Sequence, residues 1–273
     1  MINITHKISA LVLSVLPLLI FSCTEKFPDE AILSLNPVKV ETQEGTQEED
    51  DEAGTVFTLI GNGKTVTFKM IKVKHGSFQM GSDSGKSVHQ VTLTNDYYMG
   101  ETEVTQALWY AVMGQSPTSD GSKWSSSYGL GDGYPAYYIS YEDCQKFLTK
   151  LNQLTGQQFR FPTEAEWEYA ARGGSRSKGY TYSGSNNLGD VAWYADNSSS
   201  TTHVVKTKAP NELGLYDMSG NVYEWCADWY GSSSYQVNRG GSWFNTATCC
   251  RVANRDLDAP SVRSGILGIR LAL

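Results

Sequence analysis

The segment Asn238–Arg255, reading N-R-G-G-S-W-F-N-T-A-T-C-C-R-V-A-N-R, holds more reactive side chains than any other stretch of the chain. It carries the adjacent thiols of Cys249 and Cys250, the hydroxyl of Ser242, the aromatic pair Trp243 and Phe244, and the arginines 239, 251 and 255. The glycine pair Gly240-Gly241 lets backbone approach backbone or ligand closely, at an entropic cost. The two thiols decide whether this segment reacts or only binds. Elsewhere the chemistry is sparse. His75, His89 and His203 lack metal-ligand spacing and read as hydrogen-bonded loop histidines. No glycine-rich loop joins a strand to a helix in the dinucleotide-binding manner. The Asp, His and Ser residues are too scattered to propose a triad.

Something must position that segment, and the elements can be read from local signals. Val56–Ile60 and Thr65–Val73 are strand-like runs flanking Gly61-Asn62-Gly63, an Asn-Gly turn signal that predicts a hairpin. Thr105 is placed to cap a helix over Gln106–Met113, stopped by Gly114. Ser140-Tyr141-Glu142-Asp143 has the form of a capping box, and Cys144, Phe147, Leu148, Leu151 and Leu154 follow at helical spacing up to Gly156. Thr163-Glu164-Ala165-Glu166 is a second capping box behind Pro162, opening a helix through Ala171 that stops at Gly173-Gly174. The remainder is rich in Gly, Ser and Asn with isolated Trp and Tyr, which predicts loops and short strands stapled by buried aromatics, a disulfide or a metal.

The chain has 273 residues, 40% hydrophobic and only 19% charged, with 16 Tyr, 7 Trp and 26 Gly. That is enough to bury a sizeable core, in an aromatic-packed, loop-rich fold rather than a helical bundle. The net charge of -7 is concentrated in Glu41, Glu44, Glu48, Glu49, Asp50, Asp51 and Glu52; the rest is formally neutral. Nucleic acid is excluded as a partner, because no basic surplus exists to bind it. The acid run could capture calcium, but such runs ordinarily stay solvated, so residues 24–54 read as an extended tether.

At the N-terminus, Lys7 and the apolar run Ile8–Phe21 have the form of an export signal, too short for a span of roughly 20 residues. The run ends Leu19-Ile20-Phe21-Ser22-Cys23, which resembles the lipobox of bacterial lipoproteins, with Cys23 as the lipidated residue. The expected organisation is a signal peptide over 1–22, an anchor and acidic tether over 23–54, and one domain over 55–273. Such a chain is anchored to a membrane rather than spanning it. Its expected place is the bacterial cell envelope, at the outer membrane.

Five stretches in order carry a family resemblance: Gly76–Gly81, Glu101–Thr105, Phe161–Gly174 (FPTEAEWEYAARGG), Gly214–Trp225 (GLYDMSGNVYEW) and Arg239–Trp243 (RGGSW). Together they resemble the formylglycine-generating enzyme (sulfatase-modifying factor) family. The resemblance implies an α+β fold of C-type-lectin-like architecture, with few helices, short twisted sheets and long ordered loops. It also implies a chemistry, the oxidation of a sulfatase cysteine to formylglycine by oxygen and a copper ion held by two thiolates. Soft thiolates select Cu(I).

In the family pattern those thiolates stand two and seven residues after the aromatic of the Gly-Gly-Ser-aromatic motif. The corresponding residues here are Asn245 and Cys250. An amide supplies no thiolate. If the segment is extended, Cys249 points away from Cys250 and cannot replace the missing ligand. Position 223, an aromatic of the family's Asn-x-Trp-Glu-Trp motif, is tyrosine. No catalytic residue is therefore expected; were the chain an oxidase, Cys250 and Ser242 would carry it. In an exported, oxidising setting the remaining cysteines fit a staple. Four cysteines allow three connectivities; the favoured pair is Cys226 with Cys250, leaving Cys144 buried on its helix and Cys249 exposed.

The resemblance further implies a structural calcium ion, with backbone oxygens of Asp217, Gly220 and Val222 and the carboxylate of Glu224 as ligands. A hard cation wanting six to eight oxygens suits such a loop. The plainer alternative is Glu224 in an ion pair with an arginine.

The C-terminal segment carries a second resemblance. Framework stretches at Arg239–Trp243, Cys250–Arg255, Ala259-Pro260 and Gly268–Leu273 alternate with chemically unrelated residues. These are Phe244, Asn245, Thr246, Cys249, Asp256, Leu257, Asp258, Val262, Ser264, Gly265 and Ile266. Such a pattern resembles the variable proteins of diversity-generating retroelements, which display replaceable side chains on this fold. The expected function is a non-catalytic module binding a protein or glycan ligand through that surface. The alternative is an active, copper-dependent oxidase of sulfatase cysteines.

Overall fold

The computed structural model describes residues 39–41, 54–82, 86–117, 124–232 and 234–273. Cys23 and the signal segment lie outside the described residues, as does most of the tether. Its strands are β1 (Lys39–Glu41), β2 (Thr55–Gly61), β3 (Lys64–Val73), β4 (Gly76–Ser82), β5 (Lys86–Leu93), β6 (Tyr97–Gly100), β7 (Tyr223–Trp229), β8 (Gln236–Arg239), β9 (Arg255–Asp258) and β10 (Leu267–Gly268). The helices are α1 (Gln106–Met113), α2 (Tyr141–Thr155), α3 (Glu164–Ala171) and the single turn α4 (Leu188–Val191).

Local signals fix the hairpin and the helices. β2 and β3 pair from Thr55 opposite Met70 to Gly61 opposite Lys64, so Asn62 and Gly63 alone make the turn. Both have positive φ, 48° and 76°, as a two-residue hairpin turn matched to strand twist requires. Thr105 Oγ1 accepts from Leu108 N to cap α1, and Gly114 ends it in the left-handed region. Ser140 with Asp143, and Thr163 with Glu166, form reciprocal capping boxes at α2 and α3.

One difference concerns the tether. Its segment Lys39–Glu41 pairs antiparallel with β2 and extends the sheet. Backbone pairing to an open strand edge does not depend on apolar side chains, so the composition of the run gave no sign of it.

The strands form two four-stranded sheets, ordered β1-β2-β3-β6 and β10-β7-β8-β9, and the separate hairpin β4-β5. β10 runs parallel to β7, with Leu267 opposite Tyr223. The main core joins Phe57, Leu59, Trp109, Phe147, Phe159, Trp225 and Leu271. Within it Trp109 stacks on Phe147 at 4.9 Å, and Phe57 lies on Phe68 at 5.3 Å. Each fully buried side chain of this size contributes about 1.5–3 kcal/mol. The last residues bind the sheets together: Tyr98 and Leu273 exchange backbone hydrogen bonds of 3.0 and 2.9 Å, and Gly100 N donates to Leu271 O.

Two expectations about the cysteines change. Cys226 and Cys250 are both free, so they form no disulfide. Cys226, on β7, packs with Trp167, Met218 and Val237, whereas Cys250 packs with Leu188, Val191 and Ala192 in a separate apolar cluster. Both lie in motif segments, but they pack in separate apolar clusters. Cys144 is buried as a small hydrophobe, as expected, while Cys249 is half-buried rather than exposed.

Candidate functional site

The C-terminal segment is braced from beneath by a buried ion network. Arg239, fully buried on β8, lies between Glu164 and Glu168 of α3 and over the Trp167 ring at 5.2 Å. Its guanidinium also donates to Asn254 O. Arg255 on β9 donates from Nε to Glu164 at 2.7 Å and sits over Tyr230 at 4.6 Å. A helix and two strands thus fix the start and the end of the segment. Gly240 and Gly241, with φ of 100° and 76°, make the turn between them. A Cβ on Gly241 would stand 2.7 Å from Cys250 Sγ, so only glycine fits.

Beyond that turn, Ser242 is buried and donates its hydroxyl proton to Asn245 Oδ1. Ser242 Oγ accepts from Phe244 N at 3.3 Å, and Asn245 O accepts from Ala195 N at 3.0 Å. Asn245 is therefore held by side chain and backbone together. Across the segment, burial pushes the Cys250 thiol up to about 12. A thiol in that environment is a poor nucleophile at neutral pH. The segment runs in turns from Phe244 to Ala253, not as the extended strand assumed from sequence, yet Cys249 and Cys250 still differ, one half-buried and one enclosed. A two-thiolate copper clamp does not fit these residues.

Of the residues expected to hold calcium, Glu224 is engaged by an arginine. Glu224 is fully buried, and its carboxylate accepts from Arg270 Nε at 3.0 and 2.9 Å, Arg270 Nη2 at 2.7 Å and Trp167 Nε1 at 2.6 Å. Those bonds use both oxygens on both sides, and Arg270 is itself fixed by Gly100 O and Tyr216 O. A cation at Glu224 would share its oxygens with a buried guanidinium. The ion pair is what the sequence leaves room for: in the motif ending Glu224-Trp225, the carboxylate meets an arginine 46 residues downstream. Asp217, Gly220 and Val222 lie in the adjacent loop, where Asp217 and Gly220 have positive φ. Burial holds Glu103 well above the usual carboxylate range, with Asp217 and Glu224 adding to the effect, and raises Asp217 to about 6.

The residues expected to form a diversified surface divide into groups. Phe244, Thr246 and Asp256 are exposed, and Phe244 is 66% exposed. Asn245, Cys249, Leu257 and Asp258 are half-buried. Val262 and Ile266 rest partly against the main core, and Ser264 O accepts from Tyr138 N and Leu267 N, so these serve packing as well as display. Gly265 O accepts from the Trp243 indole at 2.9 Å, tying the two ends of the surface together. Trp243 in turn contacts Tyr128 at 5.7 Å and Phe244 at 5.5 Å, forming an aromatic platform whose outer members face solvent.

Sequence reasoning missed a second feature. A cleft of about 690 Å³ opens beside the same segment, lined by His89, Glu164, Tyr230, Thr248, Arg251 and Asn254 among others. None of the eleven expected surface residues lines it. The β4-β5 hairpin forms one wall, and the hairpin was not recognised from sequence. His75 and His203 are hydrogen-bonded as expected, to Asp96 at 2.7 Å and to Ser198 O at 2.8 Å.

A family model for the sulfatase-modifying factor enzyme 1-like domain matches residues 56–273. The chain belongs to that family. Its fold is C-type-lectin-like α+β. Among the relatives of this sulfatase-modifying factor protein is one named Chaperone protein LppX, from Paenibacillus barcinonensis. It is 31% identical over 248 residues, which cover 74% of this chain and 88% of the relative. The formylglycine-generating enzyme of Streptomyces coelicolor is 33% identical over 170 residues; the match spans 51% of this chain and only 52% of that enzyme. The inactive Cα-formylglycine-generating enzyme 2 of Bos taurus is 29% identical over 286 residues, covering 78% and 90% of the two chains. Among solved structures, the Treponema denticola variable protein 1 superposes with a TM-score of 0.69 at 33% identity, over 80% of this chain and 98% of its own.

Proposed function

We propose that this chain is a lipid-anchored protein of the bacterial cell envelope whose sulfatase-modifying-factor domain binds a protein or glycan ligand and oxidises nothing. The observation that carries this reading is the asparagine at 245. It occupies the place of a thiolate and is locked by its bond to Ser242, beside a Cys250 thiol kept neutral by burial. The family's soft-metal clamp needs a sulfur at both places, and position 245 supplies an amide instead. A relative named as inactive and a similar structure named as a variable protein both favour binding over catalysis.

The ligand-facing surface is the C-terminal segment. Its aromatic platform of Tyr128, Trp243 and Phe244 provides rigid, low-entropy contact area, and the exposed polar positions around it supply specificity. The residues with most freedom to vary are those with least packing, namely Phe244, Thr246 and Asp256.

Two measurements test the reading. A Cu(I) titration of the domain against a chromophoric competitor should show no tight site; copper held jointly by Cys249 and Cys250 would overturn it. The diversified character is tested in the gene, whose codons should differ from a nearby near-identical template only where that template carries adenine. A genome without such a template removes that part of the proposal.

A further inference from the structure

One face of the second sheet carries oxygen atoms that the protein itself does not satisfy. β8 and β9 place Asn238 opposite Asp256 and Gln236 opposite Asp258. Directly opposed residues share a face, as do alternate residues along a strand, so these four side chains form one patch. β7 continues the row: Trp225 lies opposite Asn238, and Tyr223, two residues earlier, shares the face.

The bonds within the patch are few. Asn238 Nδ2 donates to Asp258 Oδ2 at 2.9 Å, which leaves Asn238 Oδ1 buried without a partner. Gln236 Oε1 and the Tyr223 hydroxyl are likewise buried without a hydrogen bond. The Tyr223 hydroxyl stands beside Asp256 and Cys249 as a poorly aligned donor to both, and burial together with these neighbours raises its pKa. Above this floor Asp256 is exposed and Asp258 half-buried. Among the described residues no ion pair joins either carboxylate to a cation, and Asp256 adds to burial in raising Asp258. Buried polar groups without partners are uncommon in folded proteins, and several on one face call for a reason.

The unfilled amide oxygens accept hydrogen bonds, and the two carboxylates above them carry charge. A matching group must therefore bring several N–H donors and a positive charge. Leu257 N donates to Asp256 Oδ1 at 2.9 Å and Asn238 Nδ2 to Asp258 Oδ2, so each carboxylate keeps one oxygen without a neutral donor, above the unpaired amide oxygens of Asn238 and Gln236. A planar guanidinium offers five donors in a fixed fork that pairs with carboxylates, whereas an ammonium is a compact point charge with three.

Building on the binding-module reading, we propose that Asp256 and Asp258, over the floor of Tyr223 and Asn238, form a notch that receives an arginine side chain of a protein ligand. The notch adjoins the aromatic platform: Trp243 is bonded to Gly265 O, and the next carbonyl, that of Ile266, accepts from Tyr223 N at 2.7 Å. An arginine flanked by apolar residues would engage both at once.

The probe is acetyl-arginine amide, with acetyl-citrulline amide as its neutral isostere and acetyl-lysine amide as the point-charge control. Binding to the full-length chain is followed by the NMR shift of the Asn238 side-chain amide. The arginine probe should shift that signal in a saturable way, at least tenfold more tightly than citrulline and more tightly than lysine. Asp256→Asn, at an exposed position, should weaken it at least tenfold, and Asp258→Asn should do the same. Equal binding of citrulline, no saturable shift, or an unchanged affinity in Asp256→Asn would overturn the proposal. So would calcium ions producing the same shift and competing with arginine, since the patch would then be a metal site. Failure of the arginine probe leaves the non-catalytic reading standing; that reading fails only if the chain holds copper or oxidises a peptide cysteine.

Discussion

Ser242 donates its hydroxyl proton to Asn245 Oδ1, closing a four-residue turn at the position where an oxidase of this family would hold copper. The bond makes Ser242 a structural residue. Ser242→Ala should lower stability by about 1 kcal/mol, the net worth of one such bond, as read by chemical denaturation. A change in stability far below that would mean the turn is held by its backbone bonds alone.

The four cysteines of the domain should differ sharply towards an alkylating agent. Cys144, Cys226 and Cys250 are buried, and burial raises the pKa of each, Cys250 to about 12. Cys249 is half-buried. Brief treatment of the native protein with iodoacetamide near pH 8 should therefore label Cys249 first, as peptide mapping would show. Prior labelling of Cys250 would contradict its enclosed position.

Glu224 and Arg270 are both fully buried and joined through both carboxylate oxygens. Removing one partner strands the other charge, so Glu224→Gln should cost about 3–5 kcal/mol. A chelator should leave the melting temperature of the unmodified protein unchanged, because Arg270 already balances the Glu224 carboxylate. A fall in melting temperature with chelator, restored by calcium, would show that the ion binds after all.

Asp217 sets a pH dependence. Its folded-state pKa, raised by burial to about 6, lies above the unfolded value of 3.8, so the protonated form favours folding. That contribution is complete below the unfolded value and is lost as pH rises through about 6. It amounts to up to about 3 kcal/mol. Asp143 and Glu166 are lowered, against burial, by Arg263 and Arg160, and their contributions vanish only at more acidic pH. Unfolding measured at pH 5 and pH 7 should find the protein more stable at pH 5, and Asp217→Asn should shrink the difference, the remainder coming from the raised Glu103 carboxyl.

The neighbours Trp243 and Phe244 separate framework from display. Trp243 is 5% exposed and bonded to Gly265 O, whereas Phe244 is 66% exposed. Trp243→Ala should cost about 3–5 kcal/mol. Phe244→Ala should stay within about 0.5 kcal/mol, as surface changes do. Comparable losses in the two variants would mean the platform is core rather than surface.

What could be read from sequence was what neighbouring residues determine. The Asn62-Gly63 turn and the caps at Thr105, Ser140 and Thr163 depend on contacts a few residues apart, and all four stand where their side-chain chemistry puts them. The β4-β5 hairpin and the tether strand β1 were missed, because strand pairing is settled by partners rather than by local preference. The same reason hid the site's supports. Arg239 meets Glu168 across 71 positions and Arg270 meets Glu224 across 46, separations at which residue spacing carries no signal. The unpaired oxygens of Asn238 and Tyr223 are visible only once β7, β8 and β9 lie side by side.

The most direct test of the account is turnover. The full chain is incubated with copper, oxygen and a peptide containing Cys-x-Pro-x-Arg, and the peptide mass is followed. An amide at position 245 predicts a peptide cysteine that keeps its sulfur throughout. Conversion of that cysteine to formylglycine, absent without the protein, would contradict the account.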